Sequence, residues 1–332
     1  MSMRDACFGA TPGVMPVVTW ADPPVERLLA ALVLGGQGRY AAASALLGDL
    51  LRRRTTPAGI AAHAAVALAS HRRQLGGHAA ARPLDALGLR LAGAAPVGLV
   101  GPTPAGPIGP TPAAIRGPGR RPGTDADGTD RWAARIDALV GLAADALGTG
   151  APDLAARLLD AVGPEVRRHG SWRPAVRAGW VRAELALAGG QAGDATGPAA
   201  DALVGAEAAG AVRHVVKSRT VLAVARGAAG AGVAVVPELD AAAAQAGRHG
   251  LLPLVWPALL AAADLLDGRT AGPAGANDSG TAWRSVPDHR FEATRRRHAA
   301  GLVLSEIARR SDPVGRRLMG ESLWLPRELP LV

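Results

Sequence analysis

Cysteine, lysine and aromatic residues are scarce in this chain. Of its 332 residues one is cysteine, Cys7, which excludes an intramolecular disulfide framework and a cysteine-based metal site. Aromatic residues make up 3% and hydrophobic residues 48%, so the apolar content is mainly alanine, leucine and valine. Alanine has the highest helix propensity, but each alanine buries little surface. The composition therefore predicts an all-α protein that depends on many shallow contacts between helices.

The sequence also lacks the motifs of common enzymes and metal sites. It contains no His-Glu-x-x-His pattern, no Gly-x-Ser-x-Gly elbow and no glycine loop that ends in Gly-Lys-Ser/Thr. Its eight histidines have no cysteine or carboxylate set at metal-ligand spacing, and we interpret them as surface or helix-terminal residues. We predict a protein that is not an enzyme, with no catalytic residue, no cofactor and no metal.

No membrane segment is predicted. Residues 1–20 carry one positive charge, Arg4, and glycines and prolines break their apolar stretch. The apolar segment 251–266 is too short and contains Pro253 and Pro257, while the uncharged run 91–115 contains six prolines. A single cysteine fits a reducing compartment. We therefore expect a cytoplasmic protein.

Glycine-rich turns recur along the chain, each between two alanine- and leucine-rich runs. Successive turns are roughly 40 residues apart, except for one gap of about 72 that contains a proline-rich insert. A fixed period of this size is typical of a solenoid of helix pairs, whose units bury their apolar faces only by stacking. The turns are Gly35–Gly38, Leu75–His78, Gly148–Gly150, Gly189–Gln191 and Gly227–Gly230.

Changes in composition divide the chain into segments. Apolar residues at helical spacing define two helical blocks, and proline and glycine dominate the segment between them. The predicted segments are a disordered N-terminus (1–21), a helical block (22–92), a flexible or polyproline-like linker (93–130), a second helical block (131–267), a flexible loop (268–287), and a basic C-terminal helix with a capping tail (288–332).

The helical blocks resemble degenerate tetratricopeptide-like repeats of the bacterial MalT type. Such repeats place small and large residues at fixed offsets around a turn glycine and an aromatic residue, and three turns show this order to different degrees. The matching sets are Ala31, Leu34, Gly38, Tyr40, Ala43 and Leu47; Ala143, Ala146, Gly150, Ala155 and Leu159; and, as a weaker match, Ala225, Ala228, Gly232, Pro237 and Ala241.

The resemblance covers about 25–92 and 131–267. It implies a right-handed α-solenoid of helical hairpins whose first helices line a concave groove used for protein–protein recognition. It carries over no catalytic residue. Most turn aromatics and the usual closing proline of the repeat are absent from this chain.

One cluster stands out as a candidate protein-binding surface. Arg213, Lys217, Arg219 and Arg226 lie on one predicted first helix, and Trp180 lies on the preceding one. Tryptophan near arginine is typical of interaction hot spots. We expect these residues to bind an acidic peptide or helix, so that the chain acts as a non-catalytic scaffold or regulator. Packing of Trp180 in the core is the alternative interpretation.

A second hypothesis concerns the C-terminus. The net charge is +9, and the segment Leu304–Ser311 resembles the first helix and turn of a bacterial helix-turn-helix. The candidate nucleic-acid contacts of a DNA-associated regulator are Arg295, Arg296, Arg297, Arg316 and Arg317. Pro313 and Gly315 weaken the start of a recognition helix, so the alternative interpretation is a basic capping helix.

Overall fold

The computed structural model describes residues 2–93, 124–268, 286–323 and 325–326, and these contain helices and no strand. The linker predicted at 93–130 lies outside the described residues over 94–123, and the loop predicted at 268–287 lies outside them over 269–285. The described α-helices are α1 (Met3–Phe8), α2 (Pro24–Gly36), α3 (Tyr40–Arg52), α4 (Ala58–Gln74), α5 (His78–Leu91), α6 (Arg131–Gly148), α7 (Pro152–His169), α8 (Trp172–Ala188), α9 (Ala192–Ala208), α10 (Val212–Arg226), α11 (Val236–Arg248), α12 (Leu252–Leu266), α13 (Val286–Arg309) and α14 (Pro313–Glu321).

Helices α2 to α13 pack as consecutive hairpins in two layers. The even-numbered helices α2 to α12, which we call the first helices, contact one another along the array as well as their own partners. The odd-numbered helices α3 to α13, the second helices, pack mainly on their sequence neighbours. The first helices therefore form an inner layer and the second helices an outer one. The array is continuous across the gap in the described chain, because α4 and α5 pack directly on α6.

The repeat is most regular in the middle of the chain. Turn glycines with positive φ recur every 40 residues in two interleaved series, Gly150, Gly190 and Gly230, and Gly170, Gly210 and Gly250. Gly210 (φ +63°) and Gly250 (φ +65°) follow helix ends, where the left-handed conformation favours glycine.

One helix contains a proline that sequence rules would place at its start. A proline usually occupies the first turn of a helix, but α9 begins at Ala192 and contains Pro198 in its interior. Ala195 and Ala199 are fully buried where α9 packs on its neighbours. Contacts with the neighbouring helices thus outweigh the hydrogen bond that the proline removes.

The N-terminal segment predicted to be disordered contains a helix. Ser2 caps α1, and Ala6, Cys7 and Phe8 are buried against Leu29 and Val33 of α2. Arg4 anchors the other side of the helix through ion pairs with Asp125 and Asp127, the latter at 2.9 Å. Six residues show no useful periodicity, and the carboxylates that hold α1 lie more than a hundred positions away. This helix is therefore stabilised by contacts with distant residues, which the local sequence does not reveal.

The end of the array packs against its beginning. Tyr40 and Leu75 share a buried cluster with Leu304 and Ile307 of α13 and with Leu318 of α14. The backbone N–H of Ala41 donates to the carbonyl oxygen of Arg310 at 2.8 Å, and Arg72 forms a two-pronged ion pair with Asp312 at 2.7 and 2.9 Å. The hairpins consequently close into a ring.

The helix after Ser311 forms despite its proline and glycine. Pro313 occupies the first turn of α14, where its missing N–H is not needed, and the Asp312 carboxylate caps the N–H of Gly315 at 2.7 Å. The expectation that these residues weaken the helix start was therefore wrong. Asp312 supplies the cap, and it also binds Arg72.

Among the described residues one stretch, Val212–Arg248, is long and apolar enough to cross a membrane by length and composition. The stretch is broken near Gly230 (φ +113°), where α10 ends and α11 begins, and the two helices pack against each other as neighbours in the ring. The break argues that both are helices of the ring.

Candidate ligand-binding cavity

A cavity of about 510 Å³ lies inside the ring, and we call it the central cavity. All six first helices line it, and α1 contributes Cys7 and Phe8. The second helices contribute only His78, the first residue of α5. The inner layer of first helices therefore surrounds a cavity.

Positive charge is in excess in the central cavity. Its lining includes five cationic side chains and two carboxylates, Asp137 and Glu184, and a buried pair of acids lies directly behind one of the cations. The cations are Arg73, Arg173, Arg177, Arg213 and Lys217.

Asp137 forms ion pairs with two of these arginines and balances one of their two charges. Its carboxylate lies 2.7 Å from Arg173 and 2.9 Å from Arg177, and its exposed fraction is 1%. Burial alone would raise the pKa of Asp137, but the two guanidinium groups lower it overall. Arg173 is fixed further because its Nε donates to the carbonyl oxygen of Asp127 at 2.8 Å. This triad is therefore a rigid part of the wall.

Arg73 is held between two buried carboxylates. It lies 2.8 Å from Asp85 and 3.1 Å from Asp145, both of which are fully buried. Burial raises the pKa of Asp145 to about 6, and burial together with Asp145 raises the pKa of Asp85 well above its usual value. Two adjacent acids that share one cation favour a shared proton. Gly141 permits this arrangement, since a Cβ there would lie 2.3 Å from an Asp85 oxygen.

Arg213 has no carboxylate partner within ion-pair distance in the described part of the chain. Its one hydrogen bond is long, 3.5 Å from Nη1 to the carbonyl oxygen of Leu32. The guanidinium packs over Gly36, where an added Cβ would lie 3.2 Å from Nε. Burial lowers the pKa of Arg213, and the nearby charges of Arg177 and Arg173 lower it further. The cavity therefore holds one cation without a counter-charge.

Lys217 and Trp180 form a second feature of the wall. Lys217 lies 3.5 Å from Glu184, and its Nζ is 4.6 Å from the centre of the Trp180 ring. The indole N–H donates to Ser218 at 2.8 Å, and the ring stacks on His214 with centroids 5.6 Å apart. Trp180 is 7% exposed, so it belongs to the core and to the cavity wall at once.

Three buried histidines in the wall are kept neutral. Burial, with nearby arginines, lowers the pKa of His63 to about 4, that of His71 to about 3, and that of His214 well below its usual value. The Nδ1 atoms of His71 and His214 have no hydrogen-bond partner within the described ranges. Two polar ring atoms are thus unsatisfied at the cavity.

The structure divides the predicted partner-binding residues into two groups. Trp180, Arg213 and Lys217 meet at the central cavity. Arg219 and Arg226 lie on the exposed side of α10, where they pair with Glu207 at 2.9 Å and Glu238 at 2.8 Å. The latter two are therefore not part of the cavity.

The arginines predicted to contact nucleic acid mostly have carboxylate partners. Arg295 pairs with Glu292, Arg296 with Asp240 and Glu292, and Arg297 with Asp264 and Asp267. On α14, Arg316 donates to the carbonyl oxygen of Ser311, and Arg317 lies 3.8 Å from Glu321 with most of its side chain exposed.

Sequence reasoning missed Arg73, Arg173, Arg177 and Asp137. A signal for two of them was present, because Arg173 and Arg177 precede Arg213 and Lys217 by one 40-residue period. Equivalent positions of successive first helices thus carry cations on the same inner face. Arg73 pairs with Asp145, which is 72 positions away, and no comparable pattern in the sequence indicates this pair.

No protein-family model matches this chain, and no curated protein matches it. In the described residues no group of histidine, cysteine and carboxylate side chains could hold a metal ion.

Proposed function

We propose that this chain is a non-catalytic scaffold or regulator that receives a short acidic segment of a partner protein in the central cavity. The observation that carries the proposal is the excess of positive charge on an inner surface built by all six first helices. Arg213 has no described carboxylate within ion-pair distance, and Arg173 and Arg177 share the single carboxylate of Asp137. Charge of one sign inside a concave, low-dielectric wall concentrates ligands of the opposite sign.

The size of the cavity limits the occupant. About 510 Å³ lies within the usual range for sites that enclose a compact ligand. An α-helix with its side chains is roughly 10–12 Å across. The proposed occupant is therefore an extended segment or a chain end of a few residues, and not a whole helix.

We also propose that the hairpins are degenerate, right-handed tetratricopeptide-like repeats of bacterial type in a cytoplasmic protein. The 40-residue period of the turn glycines and the division into first and second helices support the repeat assignment. The single cysteine supports the location, since a chain with one thiol has no intramolecular disulfide that would need an oxidising compartment.

Selection from a displayed library of random heptapeptides tests the proposal. Peptides enriched on the wild-type chain are measured against Lys217→Glu on the inner face of α10 and against the matched control Arg219→Glu on its outer face. We expect acidic peptides that bind the control as tightly as wild type and bind Lys217→Glu about tenfold more weakly. Selected peptides that bind both variants alike would place recognition outside the cavity.

The alternative function is DNA association through the C-terminal segment. One observation favours it: α13, a tight turn and α14 do form two successive helices, with Arg316 and Arg317 on the second. Binding to a random-sequence duplex is measured across salt concentrations for wild type and Arg316→Gln/Arg317→Gln. This alternative requires that the DNA affinity falls steeply as the salt concentration rises. The double variant should lower the slope of that dependence by the equivalent of about two phosphate contacts.

A further inference from the structure

We infer that Arg213 is the anchor of the central cavity and binds an oxyanion group, a carboxylate or a phosphate, of an amphipathic ligand. The inference rests on the proposed function and names the chemistry by which that cavity selects its ligand. The ligand is either a free small molecule or the end of a peptide, because both can present an oxyanion beside an apolar portion.

The distribution of counter-charges identifies Arg213. Each of the other four cations in the lining has a carboxylate within ion-pair distance, whereas no described carboxylate lies within that distance of Arg213. Its contact with the Leu32 carbonyl oxygen, at 3.5 Å, is at the limit of a hydrogen bond. A guanidinium presents five donors in a planar fork that fits two oxygens of a carboxylate or phosphate, and most of these donors remain available.

The surroundings of Arg213 make an added anion favourable. Burial of a cation is costly without a partner, and the neighbouring Arg173 and Arg177 repel it further. Neutral His71 and His214 lie close enough for Arg213 to affect their ionisation, and each has a buried Nδ1 without a partner. An oxyanion at this point would supply the missing charge. The two buried ring atoms without partners are a second unsatisfied polar feature in the same wall.

The remaining wall around Arg213 is apolar and defines the rest of the ligand. Arg213 touches α2 at Leu32, and the lining continues from there through Leu28 and across to Pro253, Trp256 and Pro257 of α12. The indole N–H of Trp256 is the one side-chain donor among these residues, so the surface offers little to a highly polar ligand. The oxyanion therefore needs an aliphatic or aromatic portion beside it to fill this side of the cavity.

The test uses three probes of equal chain length, octanoate, octyl phosphate and octanol, in isothermal titration calorimetry with the full chain. We expect octanoate or octyl phosphate to bind the wild type, and octanol to bind at least about tenfold more weakly. Arg213→Gln should weaken the anionic probe by about tenfold or more, and Arg219→Gln, on the outer face of the same helix, should not change it. Equal binding of octanol, equal binding to Arg213→Gln, or no binding of either anion at millimolar concentration would overturn the inference.

A second pair of probes separates the two ligand sources. Acetyl-Leu-Leu-Leu with a free carboxylate is compared with its C-terminal amide. If the chain prefers the free acid and Arg213→Gln abolishes this preference, the site binds a peptide end. If the chain binds octanoate but shows no preference between the two peptides, the site binds a small molecule. Either outcome supports Arg213 as the anchor. If peptides selected on the wild type lose affinity for Lys217→Glu but not for Arg213→Gln, peptide recognition stands and the anchor is excluded. Should Arg213→Gln fail to fold, Arg213→Met keeps a long side chain and removes the charge and the fork, and equal probe binding to it would equally exclude the anchor.

Discussion

Helix α10 presents cations on two faces that differ in burial and in the partners of the cations. On the inner face Arg213 lies in the central cavity with no carboxylate partner among the described residues, and Lys217 lies over Trp180. On the outer face Arg219 and Arg226 each form one ion pair at the surface, with nearly half of the side chain exposed. The outer pairs are worth little because water screens them. The comparison teaches that a charged residue on α10 indicates a binding site only when its burial and its ion-pair partner are known.

The largest effect should come from the best-paired carboxylate of the inner face. Asp137→Asn removes the negative charge between Arg173 and Arg177 while keeping the volume. We expect a loss of about 3–5 kcal/mol in the free energy of unfolding, because two buried guanidinium groups lose their counter-charge. Urea unfolding followed by circular dichroism measures it. The matched variant Glu207→Gln, which removes the partner of Arg219 on the outer face, should lose less than about 1 kcal/mol. Equal losses for the two variants would contradict the idea that inner-face ion pairs stabilise the fold more than outer-face ones.

Closure of the ring keeps the inner face enclosed, and Asp312→Asn tests it. The variant weakens both the ion pair with Arg72 and the cap of α14, so we expect a loss of about 2 kcal/mol at pH 7. Burial would raise the pKa of Asp312, but Arg72 lowers it overall. The carboxylate therefore contributes stability above the usual aspartate pKa, and this is lost as the pH falls through the lowered value.

The control for this variant is Asp160→Asn, which changes an exposed carboxylate on α7. It should leave the urea midpoint unchanged at both pH 7 and pH 3. If Asp312→Asn matches this control at pH 7, the closing contact contributes nothing.

The neutral histidines of the inner face predict how stability depends on pH. Burial, and then Arg173, lowers the pKa of His63 to about 4. Its contribution is fully present above the unfolded histidine pKa and is lost as the pH falls towards the folded value. Between pH 7.5 and 5 we expect His63 to account for about 2 kcal/mol of lost stability.

The variant His63→Gln should reduce this pH-dependent loss, because glutamine does not titrate. His298→Gln changes an exposed histidine on α13 and should reproduce the wild-type pH dependence. Urea midpoints at the two pH values measure both. Identical slopes for the two variants would mean that the buried ring is not kept neutral.

The smallest effects should come from the two arginines that define the comparison. Arg213→Gln removes an unpaired, partly buried charge, so we expect the ligand-free chain to gain up to about 1 kcal/mol of stability. Arg219→Gln removes a screened surface pair and should change stability by less than about 0.5 kcal/mol. Thermal unfolding of both, without added ligand, measures the difference. If Arg213→Gln is less stable than the wild type, the arginine stabilises the folded chain and is not an unpaired charge kept for a ligand.

The ring and its cavity were only partly predictable from sequence. The turn glycines and the apolar spacing predicted the helical hairpins, because a hairpin depends on contacts within a few turns of helix. The partners of Asp137 and Arg73 lie on other hairpins, so no local pattern shows whether a charge is paired. Arg213 illustrates the limit, since the sequence identified it as a candidate but could not show that Arg219, six residues later, faces the other way.

The closing contact between Arg72 and Asp312 also constrains how this architecture can change in length. In an open solenoid a unit can be added or removed with a nearly local effect on energy, because each unit contacts only its neighbours. Here an inserted or deleted hairpin would move Asp312 and the α13–α14 segment away from the first hairpin. The number of units is consequently fixed by geometry, and variation within this architecture should be confined to substitutions and to insertions in the turns.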